Sequence, residues 1–235
     1  MRLPSKVVAL VGAVLVAGCS TGGSHNASSS ASAPAAASSS SSAAPAAPAV
    51  DIGKILSVKS TFGADFKVQT IDKTGIDPKL LAPIQFQEGL TWDPAECAKY
   101  AWTLPSGLKG NIATVLAEGQ GNRFIAMAIE TSEPVAYDPA VVDKCRHVTF
   151  SGPGTRGVVD VVDAPQIQGA PTLGKHRILQ TAVGSGELYT YVAYLGNYLV
   201  VVTANPLLTP NQPVPPVNVQ RAQQLLSDSV AAVRH

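Results

Sequence analysis

Residues 20–49 are built almost wholly from Ser, Ala, Gly and Pro, and Ser38–Ser42 is an unbroken serine run. No aromatic side chain and no Asp, Glu, Lys or Arg interrupts them. Such a stretch cannot bury enough apolar surface to offset the entropy of ordering it. Folding is therefore confined to the residues C-terminal to it. From about Val50 aromatic, charged and β-branched residues appear together and continue to His235. That leaves about 185 residues, the size of one ordinary domain with a full core, and it carries no internal repeat. Residues 19–49 are expected to form a disordered tether with a reach on the order of 30 Å. A Ser/Ala/Pro stalk of this kind is also a candidate for O-glycosylation.

Ahead of the tether, Arg2 and Lys6 precede an uncharged apolar run from Val7 to Gly18. A positive start, a short apolar stretch and small residues before a cleavage point are the layout of an export signal. The run is shorter than the about 20 apolar residues that span a bilayer. Val16-Ala17-Gly18-Cys19 resembles the lipobox of bacterial lipoprotein signals, in which the cysteine is diacylated and becomes the first mature residue. This resemblance implies a signal peptide over residues 1–18, lipidation at Cys19 and attachment to the extracytoplasmic face of the cell membrane.

Removing Arg2 and Lys6 from the 17 basic residues leaves 15 against 16 acidic ones. A near-neutral chain without a basic stripe is a poor nucleic-acid binder, so no nucleic acid is expected as a partner. With Cys19 given to lipid, Cys97 and Cys145 remain. An even pair in an exported protein reads as a disulfide.

Local patterns then order the 50–235 domain. Asp51 is a plausible N-cap for a helix with Ile52, Ile55, Leu56 and Lys59 on one side. Phe66 to Ile71 alternates as a strand, and Pro94 to Tyr100 suits a short helix carrying Cys97. Asn111 to Ala117 and Arg123 to Glu130 flank a Gly-rich turn. Asp138-Pro139 opens a helix that runs to Cys145. His147 to Phe150, Gly157 to Val162 and His176 to Ala182 are strand candidates. Glu187 to Leu195 and Tyr198 to Ala204 flank Gly196-Asn197, a strong hairpin signal. Asn218 to Arg234 is an amphipathic helix with Val219, Ala222, Leu225, Leu226, Val230 and Val233 on one face. Hairpins without β-α-β alternation predict an α+β fold, a mostly antiparallel sheet packed against helices in a single domain.

Catalytic signals are sparse. Gly152-Pro153-Gly154-Thr155-Arg156-Gly157 has the letters of a dinucleotide loop. It leads into strand material rather than a helix, and Pro153 removes a backbone donor, so it reads as a turn. The domain has no G-x-S-x-G nucleophile elbow. Of the four histidines, His25 lies in the tether and His235 at the end, while His147 and His176 belong to no metal-spaced cluster. Asp160 and Asp163, three apart on one strand, point to opposite faces. Glu130 and Glu133 read as solvated loop charges. No catalytic residue, metal or cofactor is expected. Trp92, Tyr100 and Trp102 gather around Cys97, and they are the candidate ligand-binding residues. The competing reading places both tryptophans in the core under the disulfide.

The lipobox, the tether, the segment Ile55-Leu56-Ser57-Val58-Lys59-Ser60-Thr61-Phe62-Gly63 and a Cys after Trp92-Asp93-Pro94 together resemble mycobacterial cell-envelope lipoproteins of unknown function. The folded part is distantly similar to the extracellular sensor domain of the PknH-type receptor kinases. That resemblance implies ligand sensing or binding outside the membrane, in a cleft. It also implies two disulfides, of which this chain can form only Cys97–Cys145. The expected function is a lipid-anchored, non-catalytic binding or sensor module for a lipid or glycan, with a small amphipathic ligand or an envelope protein as partner. The alternatives are an accessory protein-interaction domain and, behind it, a hydrolase.

Overall fold

Two-residue turns organise the domain. In the computed structural model, which describes residues 49–81, 89–101, 104, 108–209 and 212–235, nine strands form one antiparallel sheet. They are β1 (Lys67–Gly75), β2 (Thr91–Asp93), β3 (Gly110–Gly119), β4 (Asn122–Thr131), β5 (His147–Gly152), β6 (Thr155–Val162), β7 (Thr172–Thr181), β8 (Gly184–Tyr194) and β9 (Tyr198–Pro206). Their order across the sheet is β1-β3-β4-β9-β8-β7-β6-β5-β2. Gln120 and Gly121 turn β3 into β4 with φ of 49° and 75°. Positive φ at both central residues is the mirror-image turn whose twist suits a hairpin. Gly196, at φ 70°, begins the turn from β8 to β9, and Leu195 and Tyr198 exchange both backbone bonds across it. Pro153-Gly154 turns β5 into β6, with Gly154 at φ 70°. The glycine-rich motif is thus a hairpin tip, with no helix N-terminus behind it.

Each face of the sheet has its own core, because residues alternate along every strand. The first face carries Ala113, Val115, Ala117, Phe124, Ala126, Ala128, Tyr191, Val200, Val202 and Ala204. The alanines leave room for two helices to lie close. One is a 3₁₀ helix, Ile52–Thr61, whose Asp51 cap accepts from the Gly53 amide at 2.9 Å. The other is the C-terminal helix Val219–Val233, capped by Asn218 Oδ1 on the Arg221 amide at 3.0 Å.

The 3₁₀ geometry corrects the helix face expected from sequence. At three residues per turn the buried positions recur every third residue, as Ile52, Ile55 and Val58. Lys59 is exposed and Leu56 is only half-buried. The C-terminal helix buries the expected Ala222, Leu225, Leu226, Val230 and Val233, together with Ser229. The two helices are tied at both ends. Asp51 N donates to Val233 O at 2.9 Å. At the other end Arg221 donates to Thr61 O at 2.7 Å and lies over the Phe62 ring, 4.7 Å from its centroid.

The second face buries Ile112, Met127, Ile129, Val192, Leu199 and Val201 under Leu81 and Leu104. Further along the sheet it buries Val148, Phe150 and Val159 beneath the disulfide segment. Helices here are short: α1 (Pro78–Leu81), α2 (Ala98–Ala101) and α3 (Pro139–Lys144). With the C-terminal helix as α4, the fold is more sheet-dominated than the expected α+β arrangement. The interior helical signals produce single turns that plug one face instead of forming a layer.

Ser229 Oγ is fully buried without a hydrogen-bond partner. A buried hydroxyl left unpaired costs about 1–3 kcal/mol, and Ala is the better helix former. Ser229→Ala is therefore expected to stabilise the protein by ~1 kcal/mol. Chemical denaturation of the two chains checks it, and a lower midpoint for the variant would show that the hydroxyl is satisfied.

Candidate functional site

The second face is covered by a disulfide-tied cap. The edge strand β2 pairs with β5, setting Trp92 opposite Phe150 with ring centroids 5.1 Å apart. After Pro94 the chain makes a 3₁₀ turn, Ala95–Cys97, which continues into α2. Cys97 is bonded to Cys145, with Cα atoms 5.6 Å apart, and both are buried. This holds α2 beside the C-terminal end of α3. At the other end of α3, Asp138 Oδ1 accepts from the amides of Ala140 and Val141 at 3.0 and 3.3 Å. Pro139 occupies the first helical position, as the sequence indicates.

Between this cap and the sheet lies a cleft of about 510 Å³. The sheet supplies Val161, Leu173, Lys175 and Tyr194, from three neighbouring strands. The cap supplies Ala98, Lys99 and Tyr100 of α2, and Val142 and Cys145 from the α3 side. Leu104 and the segment Val135–Asp138 complete the wall. That segment is pinned by the β8–β9 turn, where Val135 N donates to Gly196 O at 3.3 Å. Tyr137 and Tyr194 meet as tilted rings, 5.4 Å apart. Burial and the neighbouring Tyr137 push the Tyr194 hydroxyl up to about 12, so it stays a neutral phenol.

Lys175 is the charged group at the base of the cleft. It is 8% exposed, and its ammonium donates to the Tyr100 carbonyl of α2. Burial pushes its pKa down to about 8. It is not among the candidates that sequence motifs pick out, although a signal exists. Leu173, Lys175, Arg177 and Leu179 share one face of β7 by strand alternation, which sets a lysine on an apolar face.

The structure separates the residues singled out from sequence. Tyr100 lines the cleft and is 43% exposed. Trp92 is half-buried, packed against Phe150 and the disulfide, and it borders a separate groove with Thr91, Asp93 and Thr149. Trp102 lies outside the described residues, as do Cys19 and residues 1–48.

His147 and His176 sit on the opposite face. Cross-strand register aligns His147, Asp160, His176 and Tyr189 in one row over β5 to β8. His147 Nδ1 lies 2.6 Å from Asp160 Oδ1. His176 Nε2 lies 3.0 Å from Glu187 Oε2 and stacks on Tyr189 at 4.1 Å. Glu130 is not a loop charge. It belongs to β4 and bridges Lys73 at 2.8 Å and Asn111 at 3.1 Å, and Lys73 holds its carboxyl below the usual range. Among the described residues no group of three or more His, Cys, Asp or Glu is placed to hold a metal ion. Among the same residues no helix is long and apolar enough to cross a membrane.

These features define a single-sheet antiparallel domain with a disulfide-tied cap and a mostly apolar cleft. Residues 51–234 match the family described as "Domain of unknown function (DUF5642)", and the chain belongs to that family. A similar solved structure is that of the uncharacterised Rv0999 ortholog from Mycobacterium smegmatis. It is 55% identical, covers 81% of this chain and 100% of its own, and has a TM-score of 0.73. The extracellular domain of PknH from Mycobacterium tuberculosis is matched at 13% identity, over 79% of this chain and 93% of that one, with a TM-score of 0.39. No curated protein matches the chain.

Lys175 yields a prediction with a definite sign. Its folded pKa of about 8 lies below the ordinary 10.5. Between these values the unfolded chain binds more protons, so stability rises with pH. Wild type is expected to gain on the order of 1–2 kcal/mol, relative to Lys175→Met, between pH 8 and 10. Urea unfolding of both chains across that range checks it, and parallel pH profiles would refute it.

Proposed function

We propose that this protein is a lipid-anchored, non-catalytic binding module of the bacterial cell envelope. Its site is the cleft between the disulfide-tied cap and the sheet, and its ligand is a small amphipathic molecule. The observation that carries this reading is the cleft itself. Its volume falls within the about 300–1,000 Å³ of small-molecule pockets, and its walls are mainly apolar and aromatic. Among the described lining residues the carboxylate is Asp138, and it is engaged in capping α3. The two histidine–carboxylate pairs stand on the other face of the sheet, which argues against a hydrolase centred on the cleft. The accessory-protein reading would use an exposed sheet edge or a loop. On the exposed edge β1, however, Lys67, Asp72, Lys73 and a register break between Ile71 and Thr74 work against pairing with another strand.

The anchoring half of the reading rests on the lipobox. Cys19→Ala is expected to abolish acylation and leave the protein unprocessed or released from membranes. A variant that fractionates and migrates like wild type would remove the anchor from the proposal.

The binding half is tested by native mass spectrometry of protein purified from its own envelope. A co-purified mass is expected with wild type and lost from Val142→Trp, which fills the cleft from α3. Retention of that mass by a folded Val142→Trp protein would place the ligand elsewhere. Turnover abolished by one substitution in an esterase or glycosidase screen would replace binding with catalysis.

A further inference from the structure

We propose that the loop joining β9 to α4 is a docking surface, whose edge of Pro213, Val214 and Pro216 seats as a preformed polyproline II segment in the aromatic-lined groove of a partner protein. Every residue from Gln212 to Pro216 is a proline or precedes one. Proline fixes its own φ at about −65° and holds the residue before it in the extended region. Covalent structure alone therefore confines the segment to polyproline II geometry, and it lies outside every strand and helix. At about three residues per turn, Pro213 and Pro216 fall on one edge. Both are exposed, as is Val214 between them. Pro215 turns the other way. It is half-buried on Gly121 of the β3–β4 turn, where a Cβ would lie 3.0 Å from its ring.

The loop is firmly anchored, yet it is longer than the connection requires. Leu207 N donates to Gly121 O at 2.8 Å. Asn218 N donates to Asn122 Oδ1 at 2.9 Å, and Asn122 Nδ2 donates to Pro216 O at 3.3 Å. Gly121 and Asn122 are consecutive, so the chain leaves and returns at one place, and a few residues would join those points. Residues 208–217 make a loop with close ends instead. Asn122 is buried, which fixes the clamp to the sheet, and a stiff segment loses little ordering entropy on binding. Of the five large hydrophobic side chains exposed among the described residues, two are on this loop, Leu208 at 63% and Val214 at 57%. The stretch from Gln212 to Val217 carries no charge and no aromatic ring. Adsorption to an anionic lipid surface relies on Lys and Arg, and pairing as an added strand needs amide donors that prolines lack. An aromatic groove needs neither, since it takes the apolar edge of the preformed segment. The loop is at the opposite end of β9 from the Gly196 turn that pins the cleft wall, so a partner here leaves the cleft open.

The test is photo-cross-linking of the full chain in its own cells, with benzoylphenylalanine in place of Gln212 beside the proline edge. The control carries the same probe in place of the exposed Gln224 of α4. The Gln212 probe is expected to give one protein adduct that the control lacks, joined at a partner peptide containing Trp, Tyr or Phe. In isolated envelopes the synthetic peptide Gln212–Asn218 should compete for that adduct. The same peptide carrying Pro213→Ala and Pro216→Ala should not. In the chain itself those two substitutions are expected to lower the adduct yield about tenfold, the effect of removing two anchor contacts. They leave the protein folded, because both rings are exposed, and its thermal midpoint checks this. An adduct yield at Gln212 no greater than at Gln224 overturns the proposal. So does an adduct on lipid, on a second copy of this chain, or on a partner peptide without aromatic residues. An adduct that survives Pro213→Ala and Pro216→Ala in the folded chain overturns it as well.

Discussion

The pairing of β4 with β9 holds the domain together. β5 to β9 form one continuous meander, and β3 with β4 form a separate hairpin. The nine residue pairs from Asn122–Pro206 to Glu130–Tyr198 make the two a single sheet. This contact is between segments far apart in sequence, so it must overcome a large loop-closure entropy. It does so where both faces are most deeply buried. Phe124, Ala126 and Ala128 face one core from β4 while Met127 and Ile129 face the other, and β9 repeats the pattern with Val200, Val202, Leu199 and Val201. A one-residue slip would exchange the two sets and press bulky side chains against the helices that the alanines admit.

The two faces divide the work. The first face is closed by regular helices from the two ends of the domain, each capped and each burying a simple periodic stripe. The second is closed by what lies between strands: α1, the disulfide segment, Leu104 and α3. Short pieces cannot tile a surface as a helix does, and the cleft lies among them. Its shape depends on the Cys97–Cys145 bond and on the Asp138 cap, which fix the cap elements against the sheet. A binding site of this kind can change its lining without disturbing the core that holds the sheet against α4.

Much of this was legible in the sequence, for identifiable reasons. Gly196-Asn197 marked the β8–β9 turn, because a hairpin turn demands positive φ and glycine supplies it. Asp138-Pro139 and Asn218 marked helix starts, because caps act locally. The stripe of α4 could be read because 3.6-residue periodicity survives burial against a sheet. The opening helix misled on its face, since Ile52, Ile55 and Val58 obey a three-residue period that a 3.6-residue template misses. The strand β2 was too short to show alternation. The site was less legible than the fold. The clustering of Trp92, Tyr100 and Trp102 around Cys97 is real along the chain. Strand alternation nevertheless turns Trp92 toward Phe150, while Tyr100 reaches the cleft from α2. Lys175, Leu173 and Val161 come from strands paired only after folding, and nothing local to any of them announces the others.

The bond from Asp51 N to Val233 O has a consequence beyond joining two helices. It makes the domain behave topologically as a ring, with its first and last helices in contact. Terminal helices often fray independently of the interior, at almost no free-energy cost. Here lifting α4 uncovers Ile52, Ile55 and Val58 as well as the sheet, so the two ends must open together. A protease trimming the chain from its C-terminal side would therefore meet resistance at the last turn of α4. One cut further in would release the beginning of the domain along with its end.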